Sequence, residues 1–181
     1  PRAGMRWHAA RLVGPSHLSA GVWVLGAAGA RFLTAPLAVR EAAAIPAARA
    51  ASTLRYLVGH AGLLGAAVLS TCNRTDFYMV CPDNLSAEVG PRLARYLDPG
   101  GVNDLERHLI TVEDRAAALH MFRVASGLES MVIGEAQVLG QFKDAHRVAS
   151  EAGTVDARLD YVMRRAISTA VQAVALGWCG V

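Results

Sequence analysis

The sequence predicts an α+β fold, a ferredoxin-like split β-α-β sheet layer followed by a helical extension. Three observations carry that reading. Apolar and β-branched runs at 21–27, 65–71, 75–80 and 108–112 read as strands. Helical periodicity separates the first strand from the second and the third from the fourth, giving the order strand, helix, strand, strand, helix, strand. From Glu113 onward the whole chain has helical spacing. With 181 residues, 53% of them hydrophobic and 18% charged, it can bury a substantial core and is not a disordered tail. The expected division is an N-terminal arm at 1–20, a sheet subdomain at 21–112, and a helical part at 113–181 that includes the start of a connecting helix.

Each element has its own justification. "GVWVLGA" is a buried strand by composition. Gly26 and Gly29, in "VWVLGAAGARF", imitate the opening of a dinucleotide-binding turn, but the third glycine is missing and Phe32 stands where it is wanted. A plain glycine-containing loop is the expectation there. Thr34 and Pro36 resemble a helix N-cap and an early helical proline. "AARAASTLRYLVGHAG" places Leu54, Leu57 and Val58 at helical spacing, and "GAAVLST" and "TDFYMV" follow as strands. Ser86 opens a short helix that has to accommodate Gly90 and Pro91, before the strand "HLITV". Three helices complete the chain, "EDRAAALHMFRVASG", "GEAQVLGQFKDAHRVASEAG" and "DARLDYVMRRAISTAVQAVALG", each ending in glycine.

Composition narrows the function classes. The formal charge is +3 and Lys143 is the only lysine, so the basic residues are nearly all arginines, spread along the chain. Arginine suits phosphate and carboxylate, but charge alone leaves a nucleic-acid partner open. Three cysteines without regular spacing argue against a disulfide framework and fit a reducing cytoplasm, and no CxxC or Cys/His cluster suggests a structural metal. "MRWHAARLVGPSHLSAGVWVLGAAGA" imitates a secretory leader, yet its apolar part reads equally as a buried strand. The C-terminal "AISTAVQAVALGWCGV" is shorter than the roughly 20 residues that a membrane span needs. No membrane partner is expected.

Two stretches concentrate the chemistry. In "VLSTCNRTDFYMVCP", Cys72 sits where one strand ends and the next begins, flanked by Thr71, Asn73 and Arg74. Free cysteine is only about 3% thiolate at neutral pH, so a nucleophilic role needs a cation or base nearby. Arg74 offers either that help or a grip on a substrate carboxylate. A buried strand cysteine is the plainer reading of Cys72 and suits Cys81 well. In "HMFRVASGLESMVIGEAQVLGQ", His120 stands on an otherwise apolar helix, as a core histidine often does. Ser130, Glu135, Gln137 and Gln141 follow, the two glutamines one helical turn apart, and such a polar turn among apolar residues suits a polar ligand.

"STCNRTDFY" resembles the nucleophile segment of the glutamyl-tRNA reductase family, "HMFRVASGLESMVIGEAQVLGQFKDA" resembles its second signature, and "TAPLAVRE" is similar to a third. The three occur in the family's order and spacing. The resemblance implies a cysteine that attacks the ester of glutamyl-tRNA, giving a thioester that NADPH reduces to glutamate-1-semialdehyde for tetrapyrrole synthesis. It implies Cys72 as nucleophile, Arg74 as contact for the glutamate side-chain carboxylate, His120 as acid/base group, and Thr71, Ser130, Glu135, Gln137 and Gln141 as substrate pocket.

This chain departs from the family pattern in several places. Arg31, Phe32 and Leu33 precede "TAP" where the family usually has an Asn-His pair, Asp76 replaces a Glu, Ala136 replaces a Pro, and "STAVQAVALGWCGV" replaces a basic helix. The sequence stops where the family's NADPH-binding and dimerising domains should begin, so NADPH is expected to be a cofactor of the full-length family and not to be bound by this chain alone. A domain cut from a longer reductase is one expectation. A stand-alone homologue that deacylates aminoacyl-tRNA or passes the acyl group to a separate NADPH-binding or acyl-accepting partner is another, and a non-catalytic tRNA- or partner-binding module is a third.

Overall fold

The computed structural model describes residues 23–31, 34–131 and 136–177. The expected arm at 1–20 lies outside them, as do Phe32, Leu33, Glu135 and Cys179.

Four strands, β1 (Trp23–Arg31), β2 (Gly65–Ser70), β3 (Arg74–Pro82) and β4 (Ile110–Glu113), form an antiparallel sheet in the order β2-β3-β1-β4. That order places β3 between β1 and β2, which is the split β-α-β arrangement read from the sequence. The crossovers are α1 (Leu37–Ala43) with α2 (Ala47–His60), and α3 (Ser86–Leu97) with the short α4 (Leu105–His108). Helices α5 (Asp114–Ala125), α6 (Ala136–Glu151) and α7 (Ala157–Ala175) complete the described chain.

The sheet is buried on both faces, which explains why β3 reads as apolar without clean alternation. Arg74 to Cys81 are all buried. Successive strand residues point to opposite faces, so Tyr78 meets the rings of His120 on α5 and Phe142 on α6. Met79 faces the other way, toward Leu57 on α2 and Val89 and Leu93 on α3. The helical part is therefore packed on the sheet, with α5 against β1, α6 against β2 and α7 against β3. The outer edge of β2 is covered too. Ala66 N–H donates to the Thr154 carbonyl at 2.7 Å, and the Thr154 hydroxyl donates to the Ala66 carbonyl at 3.0 Å. This occupies polar groups that an open edge would offer to other chains.

Three local expectations are corrected. Gly26 and Gly29 lie inside β1, which runs on to Arg31, and form no loop. Small residues at this point let the central strands approach closely, and Gly29 faces Asp76 directly across the ladder. Thr34 does not cap α1; its hydroxyl bonds the Arg31 backbone, and Pro36 precedes the first helical residue. The helix at Ser86 is 12 residues long, with Pro91 inside it. Gly90 lets that helix cross β4, since a Cβ there would stand 3.1 Å from Thr111 Oγ1.

Candidate functional site

Strands β2 and β3 are joined through the pair Thr71 and Arg74, with Thr71 N–H donating to the Arg74 carbonyl at 2.8 Å. Cys72 and Asn73 are thus the two loop residues of a tight hairpin. The Thr71 hydroxyl accepts the Asn73 N–H at 3.2 Å, and the Arg40 guanidinium on α1 donates to the Cys72 carbonyl at 2.9 Å. A residue pinned by its backbone at a hairpin tip can leave its side chain free, and Cys72 is exposed. Cys81 is the opposite case. Buried in β3, its thiol is pushed up to about 11 by burial and by the nearby acidic groups Glu113, Asp83 and Asp114.

Beside Cys72 an open cleft of about 440 Å³ is lined by Thr71, Asn73, Arg74, Ser130, Met131, Gln137, Val138 and Gln141. Six of the eight residues singled out from sequence, Thr71, Cys72, Arg74, Ser130, Gln137 and Gln141, therefore share one cleft. Gln137 and Gln141 come from the first turns of α6, as their spacing implied. The Ser130 hydroxyl is buried without a hydrogen-bond partner among the described residues, a state that a polar ligand would relieve.

His120 is not among the lining residues. It lies behind the cleft, with Nε2 3.3 Å from Asp76 Oδ2 and Nδ1 3.1 Å from Glu129 Oε2, the latter without hydrogen-bond alignment. Arg74 donates to Asp76 Oδ2 at 3.3 Å and to the Glu129 carbonyl. Arg31 donates to Glu129 Oε2 at 2.9 Å and approaches Asp76 Oδ1 at 3.6 Å, and Arg123 donates to Glu129 Oε1 at 3.1 Å. Two carboxylates thus hold three guanidiniums and an imidazole under the cleft floor. Burial works to lower the His120 pKa, but the contacts with Asp76 and Glu129 outweigh it and the net shift is upward, favouring imidazolium. Burial likewise works to raise Glu129, but its contact with His120 and the charges of His120, Arg31 and Arg74 bring it down to about 2.

Sequence reasoning missed Glu129, Arg40 and Arg123. Glu129 was legible in principle as the one carboxylate within "SGLESM". Arg31 and Asp76 drew notice only as departures, and the structure puts them in contact.

These shifts fix a pH dependence. Glu129, lowered from its usual 4.5, stabilises the fold fully above that value and loses the contribution as pH falls toward about 2. His120, raised from 6.5, stabilises fully below 6.5 and loses the contribution as pH rises through its folded value. The melting temperature should therefore be highest between about 4.5 and 6.5 as far as this cluster governs it. His120→Asn should flatten the alkaline limb and Glu129→Gln the acid limb, and unaltered profiles in both variants would show that the cluster does not couple to folding.

The family model described as "Glutamyl-tRNAGlu reductase, N-terminal domain" matches residues 28–175. The chain belongs to the glutamyl-tRNA reductase family. Curated relatives named glutamyl-tRNA reductase include that of Thiobacillus denitrificans, 42% identical over 144 residues, covering 78% of this chain and 33% of the relative. That of Alkalilimnicola ehrlichii is 39% identical over 150 residues, covering 82% and 33%. The glutamyl-tRNA reductase structure from Methanopyrus kandleri superposes with a TM-score of 0.69 at 31% identity, covering 83% of this chain and 34% of that one. The chain spans about a third of the length of these relatives.

Gly26 and Gly29 do not form the strand-to-helix turn of a dinucleotide-binding fingerprint. The pair lies in mid-strand, and the space above Gly29 is filled by the Asp76 carboxylate. Among the described residues there is no group of three or more His, Cys, Asp or Glu placed to hold a metal, and no helix is long and apolar enough to cross a membrane.

Proposed function

We propose that Cys72 takes the glutamyl group from glutamyl-tRNA as a thioester. The observation that carries this is an exposed thiol at a hairpin tip, sharing a cleft with Arg74 and the amides of Gln137 and Gln141. The Cys72 sulfur, as thiolate, bonds the carbonyl carbon of the aminoacyl ester. The bond from that carbon to the ribose oxygen breaks, and the oxygen takes up a proton as tRNA leaves. Arg74 binds the glutamate side-chain carboxylate. Two of its five N–H donors are engaged by Asp76 and the Glu129 carbonyl, which fix its plane and leave donors for the substrate. Thr71, Ser130, Gln137 and Gln141 complete the described pocket, and Glu135 is assigned to it by the family resemblance alone.

His120 is the acid/base group of this reading. Both its ring nitrogens face the Asp76 and Glu129 carboxylates, contacts that favour the protonated form, so in this reading its proton reaches the cleft through that cluster and not directly. His120→Asn should slow acylation by something like 10²-fold or more while the protein remains folded. A lower melting temperature with normal acylation of the folded fraction would assign His120 to structure alone.

NADPH reduction belongs to the longer relatives in this reading. The chain alone releases its glutamyl group by slow hydrolysis, giving net tRNA deacylation. Intact-mass measurement after incubation with glutamyl-tRNA tests the proposal, the expected result being a single glutamyl adduct sensitive to hydroxylamine. Arg74→Lys should weaken adduct formation, because a point charge does not reproduce the bidentate fork. No adduct on the wild-type chain would overturn the proposal.

A further inference from the structure

On the opposite side of the sheet from the Cys72 cleft, α2 and α3 enclose a second, more open groove of about 600 Å³, lined by Tyr56, Leu57, His60, Ala61, Arg92, Arg95 and Tyr96. Its rings form one stack. Tyr56 lies between His60 and Tyr96, with centroids at 4.7 Å and 4.9 Å and planes 13° and 23° apart. The stack is held in place from below, because the Tyr96 hydroxyl bonds Oγ1 of the buried Thr53 at 3.3 Å. It is nonetheless open to solvent, with Tyr56 46% exposed and His60 exposed at its end.

The surrounding charge is mostly positive. Helices α2 and α3 carry Arg49, Arg55, Arg92 and Arg95 against Glu88 alone, a formal +3 that equals the charge of the entire chain. Of these, Arg92 and Arg95 line the groove beside the aromatic stack, Arg92 held by its ion pair with Glu88 at 2.5 Å and Arg95 exposed. Guanidiniums beside preordered rings are the chemistry of a single-stranded nucleic-acid platform, in which arginines follow phosphates and rings receive bases.

We propose that the α2–α3 groove binds an unpaired segment of the RNA whose acyl end reaches Cys72. The inference rests on the thioester reading for the identity of that RNA. The two sites are joined by the edge strand β2, which follows α2 and runs six residues to the Cys72 hairpin, about 20 Å. A polynucleotide spans that distance, whereas glutamate alone does not. The groove therefore recognises the carrier and the cleft recognises the amino acid.

The test measures affinity of the chain for unacylated tRNA across a salt series, alongside the rate of Cys72 alkylation by iodoacetamide. Tyr56→Ala removes the middle ring that holds His60 and Tyr96 in one stack, whose outer faces are the ones open to a base, and should weaken tRNA binding about tenfold. Arg95→Gln should weaken it more modestly and reduce the slope of log affinity against log salt by about 1. Both variants should leave alkylation unchanged, which shows that the fold and the hairpin are intact. Unchanged tRNA affinity in both variants overturns the groove assignment, even if the wild-type chain still gains its glutamyl adduct. An equal loss of heparin binding in Tyr56→Ala would also overturn it, since a general polyanion surface has no use for the ring stack. If the wild-type chain forms no adduct yet tRNA binding drops as stated, the groove stands and the thioester reading fails.

Discussion

Replacing Cys72 with serine is expected to remove the glutamyl adduct entirely, while Cys81→Ser and Cys179→Ser keep it. The magnitude follows from the surroundings of the sulfur. A free thiol is a few per cent thiolate at neutral pH and intrinsically very nucleophilic in that form, whereas a serine hydroxyl needs a general base within hydrogen-bond reach. The described lining of the cleft consists of Thr71, Asn73, Arg74, Ser130, Met131, Gln137, Val138 and Gln141, none of which is such a base. Loss of a nucleophile can cost as much as about 10⁶ in rate, so the serine variant should fall below detection. Cys81 supplies the internal contrast, since its buried thiol, pushed up to about 11, offers little thiolate. An adduct that persists in Cys72→Ser, or disappears in Cys81→Ser, would move the nucleophile elsewhere. Iodoacetamide gives an independent reading, with Cys72 alkylated in the folded protein and Cys81 only after unfolding.

The sheet order was legible because each strand is a compact apolar run and each crossover has helical periodicity. Register and strand length were less so. The small residues Gly26 to Ala30 carry little β signal, yet they continue β1 to Arg31 because the central strands need close approach there. Helix α4, four residues long, is too short for any period to show. At the site, what the sequence displayed locally came through: Thr71, Cys72 and Arg74 share a hairpin, and Gln137 and Gln141 share a helix face. What stayed hidden was assembled over long separations. Arg31, Asp76, His120, Arg123 and Glu129 meet only because β1 lies beside β3 and α5 packs on β1. The same holds for the arginines and tyrosines of α2 and α3, whose grouping is a property of the packed helices.

The second large effect is expected from a single methyl group. In Gly29→Ala, an ideal Cβ would stand 2.0 Å from Asp76 Oδ1 and 2.9 Å from the Thr75 carbonyl, contacts that real structures do not tolerate. The backbone oxygen belongs to the central ladder and cannot swing away, so the Asp76 carboxylate has to move. Asp76 is 1% exposed and sits within 3.3 Å of both Arg74 and His120 and 3.6 Å of Arg31. Displacing it leaves buried cations without their partner, a loss on the scale of about 3–5 kcal/mol for a broken buried pair. Overpacking adds a further cost of about 1–3 kcal/mol where the strands cannot separate. The expected result is a variant at least about 3 kcal/mol less stable in urea. Its remaining folded fraction should also acylate slowly, because Arg74 has lost one of the two groups that hold its plane. Gly26→Ala is the matched control on the same strand. A Cβ there meets nothing within 4 Å, and replacing glycine in a strand interior should be neutral or stabilising by up to about 1 kcal/mol. Equal stabilities for the two alanine variants would mean that Asp76 does not occupy the space above Gly29, and with it the account of how Arg74 is held would fall.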